Sequence, residues 1–313
     1  MPGTIKAAAS FNADTSAQQL DKAIRGWGTN ESVIINLLTS HCSKQRLEIK
    51  AAYQKSTGKN LEADLKADLG GDFEKAVLAM FLSPAEYDAQ ELNRAMKRLG
   101  TKERILVEIL GTRKNAEIAA IKAAYKAAYS VELEADIRSE TSGDFRELLL
   151  TLCTGSREET KTADAPRADA DARRLYSAGE KRLGTDETVF TDILCHRSFH
   201  QLKATIEAYK RVAGHEIEQA IESETSGDLK EAYLDIVKIG RNSGQYFAER
   251  LHKCMAGPGT RDQDLMRILV TRSEVDMEEI RLAYKGTYSV TLADAIRGDT
   301  SGDYKSLLIA ILG

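Results

Sequence analysis

Four segments of the chain share residues whose chemistry could form a binding site: a Gly-Thr pair, and an acidic residue 39 positions after the threonine. The threonines are Thr29, Thr101, Thr185 and Thr260, and the acids are Asp68, Glu140, Glu224 and Asp299. Glycine tolerates backbone angles that leave carbonyl oxygens free to point outward. Ca²⁺ takes roughly six to eight oxygen ligands, whereas Mg²⁺ requires a tighter octahedron. The pattern therefore favours a calcium site made from a glycine turn and one distant carboxylate.

The same register contains two further fixed positions, which shows that the four segments are repeats. A tyrosine follows each threonine at position +24 and an aspartate follows it at position +43, with no gap in any copy; these residues are Tyr53, Tyr125, Tyr209 and Tyr284, and Asp72, Asp144, Asp228 and Asp303. The intervals between successive threonines differ, because insertions lie between the copies. Each copy is therefore predicted to be one rigid module.

Apolar spacing predicts that these modules are helical. In the first repeat Val33, Ile34, Leu37 and Leu38 form a stripe on one face of a helix, and the other repeats follow with small changes. We expect each Gly-Thr threonine to be the N-cap of this helix. We also expect the later aspartate, such as Asp72, to cap a new helix after a glycine turn.

The expected organisation is a head at residues 1–13 followed by repeat 1 (14–84), repeat 2 (85–154), repeat 3 (172–240) and repeat 4 (245–313). Residues 155–171 are charged, poor in apolar residues and contain Pro166, so they are predicted to form a linker. A shorter joint is expected at 239–244. Arginines recur at position +12 after three of the threonines, at Arg113, Arg197 and Arg272, and are predicted to cap carbonyls or pair with an acid.

Composition limits the classes of function. The chain has 42% hydrophobic and 29% charged residues and a net charge of −4, which argues against nucleic acid as a partner because such binding needs concentrated positive charge. The same charge argues against direct attraction to anionic lipid. No apolar run approaches the roughly 18 residues of a membrane span, and the start does not resemble a secretion signal. We expect a cytoplasmic protein with buried, unpaired cysteines.

The loops and their acids resemble a known family signature. Gly26-Trp27-Gly28-Thr29 with Asp68, and Gly257-Pro258-Gly259-Thr260 with Asp299, are similar to the annexin pattern of Gly-x-Gly-Thr with an acid at position +39 from the threonine. The resemblance covers about residues 13–313 in four copies. It implies an all-α fold of four repeats, each of five helices, curved into a disc whose convex face carries the metal loops.

The resemblance also implies the residues of the sites. The Ca²⁺ ligands would be the carbonyls of the loop residues and the carboxylate of the acid: Ile24, Gly26, Gly28 and Asp68; Arg182, Gly184 and Glu224; and Met255, Gly257, Gly259 and Asp299. Repeats 2 and 3 depart from the pattern because Arg98 and Arg182 replace the first glycine. In repeat 2, Lys97 and Lys102 add further positive charge, so Met96, Arg98, Gly100 and Glu140 would form the weakest site or none. Residues at the tip of each loop would contact the membrane: Trp27, Leu99, Leu183 and Pro258.

The implied function is Ca²⁺-dependent binding to anionic phospholipid membranes. A Ca²⁺ ion shared between protein oxygens and lipid phosphates would bridge two negative surfaces, and several such bridges would add avidity. The protein would be peripheral on membranes when Ca²⁺ rises, and homo-oligomers on the membrane are compatible with this prediction. A group of charged residues also resembles annexin channel positions, although an internal ion-pair network is the simpler interpretation: Asp88, Glu91, Glu108, Arg113 and Arg267.

Two other classes of function are open at this point. An enzyme could use the adjacent Cys195 and His196, but neighbours on a helix point about 100° apart, and the chain has no metal-binding histidine pattern or phosphate-binding glycine loop. A metal-independent helical scaffold for protein partners would keep the tyrosines and leucines. Such a scaffold would have no use for the recurring acid at position +39 from each threonine.

Overall fold

A computed structural model describes residues 2–25, 28–97, 100–179 and 185–313, which form α-helices and connecting loops without a β-strand. The helices fall into four groups of five, in agreement with the expected all-α repeats. Repeat 1 contains α1 (Ala13–Arg25), α2 (Glu31–Ser40), α3 (Ser43–Thr57), α4 (Leu61–Asp68) and α5 (Gly71–Met80). Repeat 2 contains α6 (Pro84–Lys97), α7 (Glu103–Thr112), α8 (Asn115–Tyr129), α9 (Leu133–Glu140) and α10 (Gly143–Cys153).

The second half of the chain repeats this order. Repeat 3 contains α11 (Ala165–Ala178), α12 (Glu187–His196), α13 (Phe199–Ala213), α14 (Ile217–Glu224) and α15 (Gly227–Arg241). Repeat 4 contains α16 (Ser243–Met255), α17 (Asp262–Arg272), α18 (Met277–Tyr288), α19 (Leu292–Asp299) and α20 (Gly302–Leu312). Among the described residues, no helix is both long and apolar enough to cross a bilayer.

The helices form two compact units, one of Met1–Tyr87 with Phe247–Gly313 and the other of Asp88–Tyr246. In the first unit, α2 and α5 pack against α17 and α20. In the second, α7 and α10 pack against α12 and α15. Each unit therefore pairs the second and fifth helices of one repeat with those of another, and buries the apolar stripes that the sequence predicts.

The recurring tyrosines lie in the core of each repeat. Tyr53, Tyr125 and Tyr209 are fully buried and Tyr284 is 1% exposed. A buried phenol needs a hydrogen-bond partner, and in two repeats this is an aspartate: the Tyr53 hydroxyl donates to Asp64 at 2.6 Å and that of Tyr125 donates to Asp136 at 2.5 Å. These bonds tie the third helix of the repeat to the fourth.

The recurring arginines pair with acids, as one of the two predicted roles requires. Arg113 binds Asp88 through two hydrogen bonds of 2.6 and 2.8 Å, and Arg197 binds Asp171 through bonds of 2.6 and 2.9 Å. In both cases the first helix of the repeat is joined to the end of the second. Arg272 makes the same two-point contact with Asp276, at 2.7 and 2.5 Å.

Three boundaries differ from the sequence prediction. The last part of the predicted linker is helical, because Asp164 caps α11 by accepting from the Arg167 N–H at 3.0 Å. The predicted joint at 239–244 is mostly helix, since α15 continues to Arg241 and α16 begins at Ser243. The later aspartates are not N-caps: Gly70, Ser142, Ser226 and Ser301 hold that position, and Asp72 and its equivalents lie in the first turn, where a negative charge still favours the helix.

The head and the remaining connecting segment are held by equivalent glutamines. The Gln45 side chain exchanges two hydrogen bonds with the backbone of Ala8, at 2.9 and 3.0 Å. Gln201 does the same with Asp164, at 2.7 and 3.0 Å. At the start of the head, the Thr4 hydroxyl donates to the Ile311 carbonyl at 2.5 Å, so this part of the chain lies against α20.

The third helix of each repeat ends on a residue in the left-handed conformation, and this gives a stability prediction. Glycine holds the position at Gly58 and Gly214, but serine holds it at Ser130 (φ +56°) and Ser289 (φ +59°). A residue with a side chain destabilises the folded state by roughly 1 kcal/mol in this conformation. Replacing it with glycine removes this strain, but part of the gain is offset because glycine raises the conformational entropy of the unfolded chain. We expect Ser130→Gly to stabilise the protein by about 0.5 kcal/mol, or roughly 1–2 °C in thermal midpoint.

Thermal unfolding followed by circular dichroism checks this expectation. The matched control is Gly58→Ser, which should lower the midpoint by a similar amount because it introduces the strain that Ser130→Gly removes. A lower thermal midpoint for Ser130→Gly would contradict the left-handed conformation of Ser130 as a source of strain.

Candidate functional site

The loop between the first and second helices of each repeat contains the Gly-Thr pair. In repeat 4 this loop follows Met255 and ends before Asp262, and residues 256–259 are exposed. Gly259 has φ +82°, and its equivalents Gly28 and Gly100 have +84° and +80°. Only glycine adopts this backbone conformation without strain, which explains the glycine before Thr29, Thr101 and Thr260.

A backbone hydrogen bond closes each loop. The N–H of the residue after the threonine donates to a carbonyl in the last turns of the preceding helix: Asn30 to Ala23 at 2.9 Å, Lys102 to Ala95 at 2.9 Å, Asp186 to Ala178 at 2.8 Å and Arg261 to Cys254 at 2.8 Å. The loop ends are therefore fixed in all four repeats. Within the loop, the exposed glycine backbone of Gly257 and Gly259 remains at the surface.

The threonine contacts the acid helix, and the prediction that it is an N-cap is wrong. The N-cap is the next residue, and Asn30 performs this role by accepting from the Val33 N–H at 3.2 Å. The threonine hydroxyl instead donates to the backbone carbonyl of the acid 39 positions later: Thr101 to Glu140 at 3.4 Å, Thr185 to Glu224 at 2.8 Å and Thr260 to Asp299 at 3.0 Å.

Each acid is the last residue of the fourth helix of its repeat, at the ends of α4, α9, α14 and α19. Asp68 is exposed and Asp299 is half-buried. The Thr260 hydroxyl also lies 2.6 Å from the Asp299 carboxylate oxygen Oδ2. The structure therefore brings the loop and the acid of repeat 4 together, as the spacing predicts.

The predicted ligands and membrane-contact residues differ in burial, and some of them lie outside the described residues. Ile24 and Met96 are buried, while Met255 is half-buried and Pro258 is exposed. Several predicted residues lie outside the described residues: Gly26, Trp27, Arg98, Leu99, Arg182, Leu183 and Gly184. All four predicted ligands of repeat 4, Met255, Gly257, Gly259 and Asp299, are among the described residues, and Thr260, next to Gly259, contacts Asp299.

The donor chemistry of repeat 4 fits Ca²⁺. Within the described residues, no group of three or more His, Cys, Asp or Glu side chains could hold a metal ion. A metal there would have to draw most of its ligands from backbone carbonyls. Hard cations such as Ca²⁺ accept such ligands together with one carboxylate, whereas Zn²⁺ prefers nitrogen and sulfur ligands.

A family model for annexin repeats matches residues 15–80, 87–152, 170–236 and 246–311, one stretch in each group of five helices. The chain belongs to the annexin family. Human annexin A13 is 47% identical over 302 residues, which cover 96% of both chains, and annexin A4 from Bos taurus is 47% identical over 99% of this chain and 98% of its own.

Solved annexin structures share the whole fold. A structure of annexin III has a TM-score of 0.97 and 44% identity, covering 100% of this chain and 97% of the other. A crystal structure of calcium-bound annexin (Sm)1 has a TM-score of 0.91 and 34% identity, covering 99% and 93%. The recurring loops of this chain thus belong to annexin repeats.

Annexin repeats 1 and 4 share a feature that the sequence analysis missed. A cavity of about 470 Å³ in the first unit is lined by six carboxylates, three from each repeat: Glu31, Asp68, Asp72, Asp262, Asp299 and Asp303. The sequence contains all six at fixed offsets from the threonines. Their convergence depends on how α2 and α5 pack against α17 and α20, which the offsets within one repeat do not reveal.

Repeat 2 differs because a lysine contacts its acid. The Lys97 ammonium lies 2.8 Å from Asp136 Oδ1 and 3.3 Å from Glu140 Oε1. The hydrogen bond to Asp136 is the main cause that raises the pKa of Lys97, so the side chain stays charged. The carboxylate that would bind metal in repeat 2 is thus already paired with a cation.

The acidic cavity gives a pH-dependent prediction. Burial, then the negative charges of Asp72 and Asp299, raise the pKa of Asp262. The charged form of Asp262 therefore opposes folding, and this opposition is absent at low pH and appears as pH rises through the raised pKa. We expect Asp262→Asn to raise the thermal midpoint at pH 7 by about 1 °C, and this gain to shrink toward pH 4.

Asp294 provides the matched control for this measurement. Its pKa is lowered by hydrogen bonds from Thr291 and Arg297, so its charged form favours folding above its ordinary pKa. Asp294→Asn should lower the midpoint at pH 7 and have little effect at low pH. If Asp262→Asn were also destabilising at pH 7, the charge repulsion in the cavity would not be significant.

Proposed function

We propose that this annexin binds anionic phospholipid membranes in a Ca²⁺-dependent manner through its Gly-Thr loops. The observation that supports this most directly is the contact of Thr260 with both the carbonyl and the carboxylate of Asp299. One hydroxyl thus joins an exposed loop that offers backbone oxygens to the acid that would supply charge. Residues Met255, Gly257, Gly259 and Asp299 would hold the ion in repeat 4, with Ile24, Gly26, Gly28 and Asp68 in repeat 1.

Charge explains why a cation is needed. The chain has a net charge of −4, and six carboxylates of repeats 1 and 4 line one cavity together with Thr260. An anionic membrane would repel this surface. A bound Ca²⁺ supplies positive charge and open coordination positions that lipid phosphate oxygens can fill.

The loops are suited to contact a surface rather than to enclose an ion. Gly257, Pro258 and Gly259 are exposed, and one carboxylate gives little charge to each site. Each site alone should therefore bind Ca²⁺ weakly, with a dissociation constant nearer to about 10⁻⁴ M than to the values of the tightest calcium-binding proteins. Several sites acting on one membrane raise the overall affinity through effective concentration. Trp27, Leu99, Leu183 and Pro258 would contact the headgroups, where tryptophan is favoured.

The relatives support the same function. The annexin (Sm)1 structure is calcium-bound, and the annexin family model matches all four repeats of this chain. Repeat 3 would use Arg182, Gly184 and Glu224, whose backbone carbonyl already accepts from Thr185. The protein would be cytoplasmic and would move to membranes when Ca²⁺ rises.

The described residues give little support to thiol catalysis. Burial raises the pKa of the Cys153, Cys195 and Cys254 thiols to about 12, so these thiols stay protonated at neutral pH. The His196 ring contacts the Asp192 carbonyl at 3.0 Å. The remaining alternative is a metal-independent scaffold for protein partners, and vesicle binding with and without Ca²⁺ distinguishes it from the proposed function.

The test is sedimentation of the full chain with phosphatidylserine vesicles over a range of Ca²⁺ concentrations. We expect binding in Ca²⁺ and release in chelator. Asp299→Asn and Glu224→Gln should each raise the Ca²⁺ concentration for half-maximal binding several-fold, because each removes one charged ligand.

Phosphatidylcholine vesicles are the lipid control, since they carry no net negative charge. Asp294→Asn is the protein control, because Asp294 is an exposed acid at the start of α19, at the other end of the helix from Asp299. Equal binding in Ca²⁺ and chelator would favour the scaffold and reject the proposal.

A further inference from the structure

A basic residue lies four positions before the loop threonine in repeats 1, 2 and 3. Lys181 of repeat 3 lies outside the described residues, and the basic residues of repeats 1 and 2 bind different acids. In repeat 1 this residue is Arg25, whose Nε lies 2.7 Å from Asp21 Oδ1 on its own helix. In repeat 2 it is Lys97, which contacts Asp136 and Glu140 on α9. Only the second contact reaches the acid of a candidate calcium site.

The residue eight positions before the threonine explains this difference. In repeat 1 it is Asp21, one helical turn from Arg25, so the two charges pair along α1. In repeat 2 it is Asn93, a neutral amide that donates to the Tyr125 hydroxyl at 3.0 Å. Lys97 therefore has no acid on α6 at that position and extends to α9.

Two features of α9 make it a good partner for the lysine. Asp136 and Glu140 are one helical turn apart, so their carboxylates lie on one face of the helix. Glu140 is also one methylene longer than Asp68, the equivalent acid of repeat 1. Both carboxylates consequently reach the same ammonium, whereas repeat 4 has the uncharged Ala256 in place of the lysine.

We propose that Lys97 is a built-in competitor for Ca²⁺ in repeat 2, which holds Glu140 and must be displaced before the ion can bind there. This inference rests on the proposed function and concerns how the four sites differ. The site of repeat 2 would bind Ca²⁺ only at a higher Ca²⁺ concentration than the site of repeat 4 requires. The four sites would then respond to Ca²⁺ in steps rather than together.

The test isolates repeat 2 in a variant that lacks the other acids, Asp68→Asn, Glu224→Gln and Asp299→Asn. Adding Lys97→Met to this variant should lower the Ca²⁺ concentration for half-maximal vesicle binding by about threefold to fivefold, the factor expected for the loss of a partly exposed ion pair. Methionine keeps the length and apolar stem of lysine. Equilibrium dialysis with radioactive Ca²⁺, on the same proteins without vesicles, measures the ion directly.

Three variants serve as controls. Lys97→Arg keeps the positive charge and should leave the Ca²⁺ requirement unchanged. Adding Glu140→Gln to Lys97→Met should remove the gain, because the carboxylate is then absent. Arg25→Met in the otherwise unchanged chain should not alter Ca²⁺ binding, since Arg25 pairs with Asp21 on its own helix.

The outcomes separate this inference from the proposed function. If the unchanged chain needs Ca²⁺ for membrane binding but Lys97→Met has the same or a higher Ca²⁺ requirement in both measurements, the competitor role is rejected and the membrane function remains. If the unchanged chain binds vesicles equally in chelator, the proposed function itself fails. A melting curve by circular dichroism establishes that each variant is folded.

Discussion

The hydrogen bond from the loop threonine to the end of the acid helix is the constraint on which the candidate sites depend. It joins positions far apart in the sequence and is present at Thr101, Thr185 and Thr260. Because the donor is a short side chain, the loop and the helix end must approach closely for the bond to form. The hydrogen bond that closes the loop and the left-handed glycine further restrict the loop backbone. In repeat 4 an exposed glycine backbone and one carboxylate therefore lie close to the same threonine.

Charge then separates repeats that share this framework. In the first unit, acids from repeats 1 and 4 line one cavity, where burial and neighbouring carboxylates raise the pKa of Asp262. In the second unit, a smaller cavity is lined by residues that include Arg104, whose guanidinium pairs with Glu231. Ser32 holds the equivalent position in repeat 1. One cavity thus concentrates negative charge, whereas the other contains an arginine that offsets it, and this division follows from single residues on a common backbone.

Much of this arrangement could be predicted from the sequence because each repeat is free of gaps. The register predicted helical modules, and pairing with an acid was one of two roles predicted for Arg113 and Arg197. The structure places the loop threonine against the acid helix in repeats 2, 3 and 4. Local capping was harder to predict, because Thr185 and Asp186 both have side chains that can serve as N-caps, and the Thr185 hydroxyl instead donates to the Glu224 carbonyl across the repeat. The contacts of Lys97 and the six-acid cavity depend on side-chain direction and on packing between repeats, and neither has a signal in the spacing within one repeat.

The contact of Thr4 with α20 also has a consequence for how the chain could be rearranged. Because the Thr4 hydroxyl reaches the carbonyl of Ile311, the segment around Thr4 and the end of α20 are neighbours within the first unit. A short peptide could join them, and new ends could be opened in the segment at 155–164 between the second and third repeats. The resulting circular permutant would run in the order 3, 4, 1, 2 and would make repeats 4 and 1 consecutive in the sequence, whereas repeats 2 and 3 now separate them.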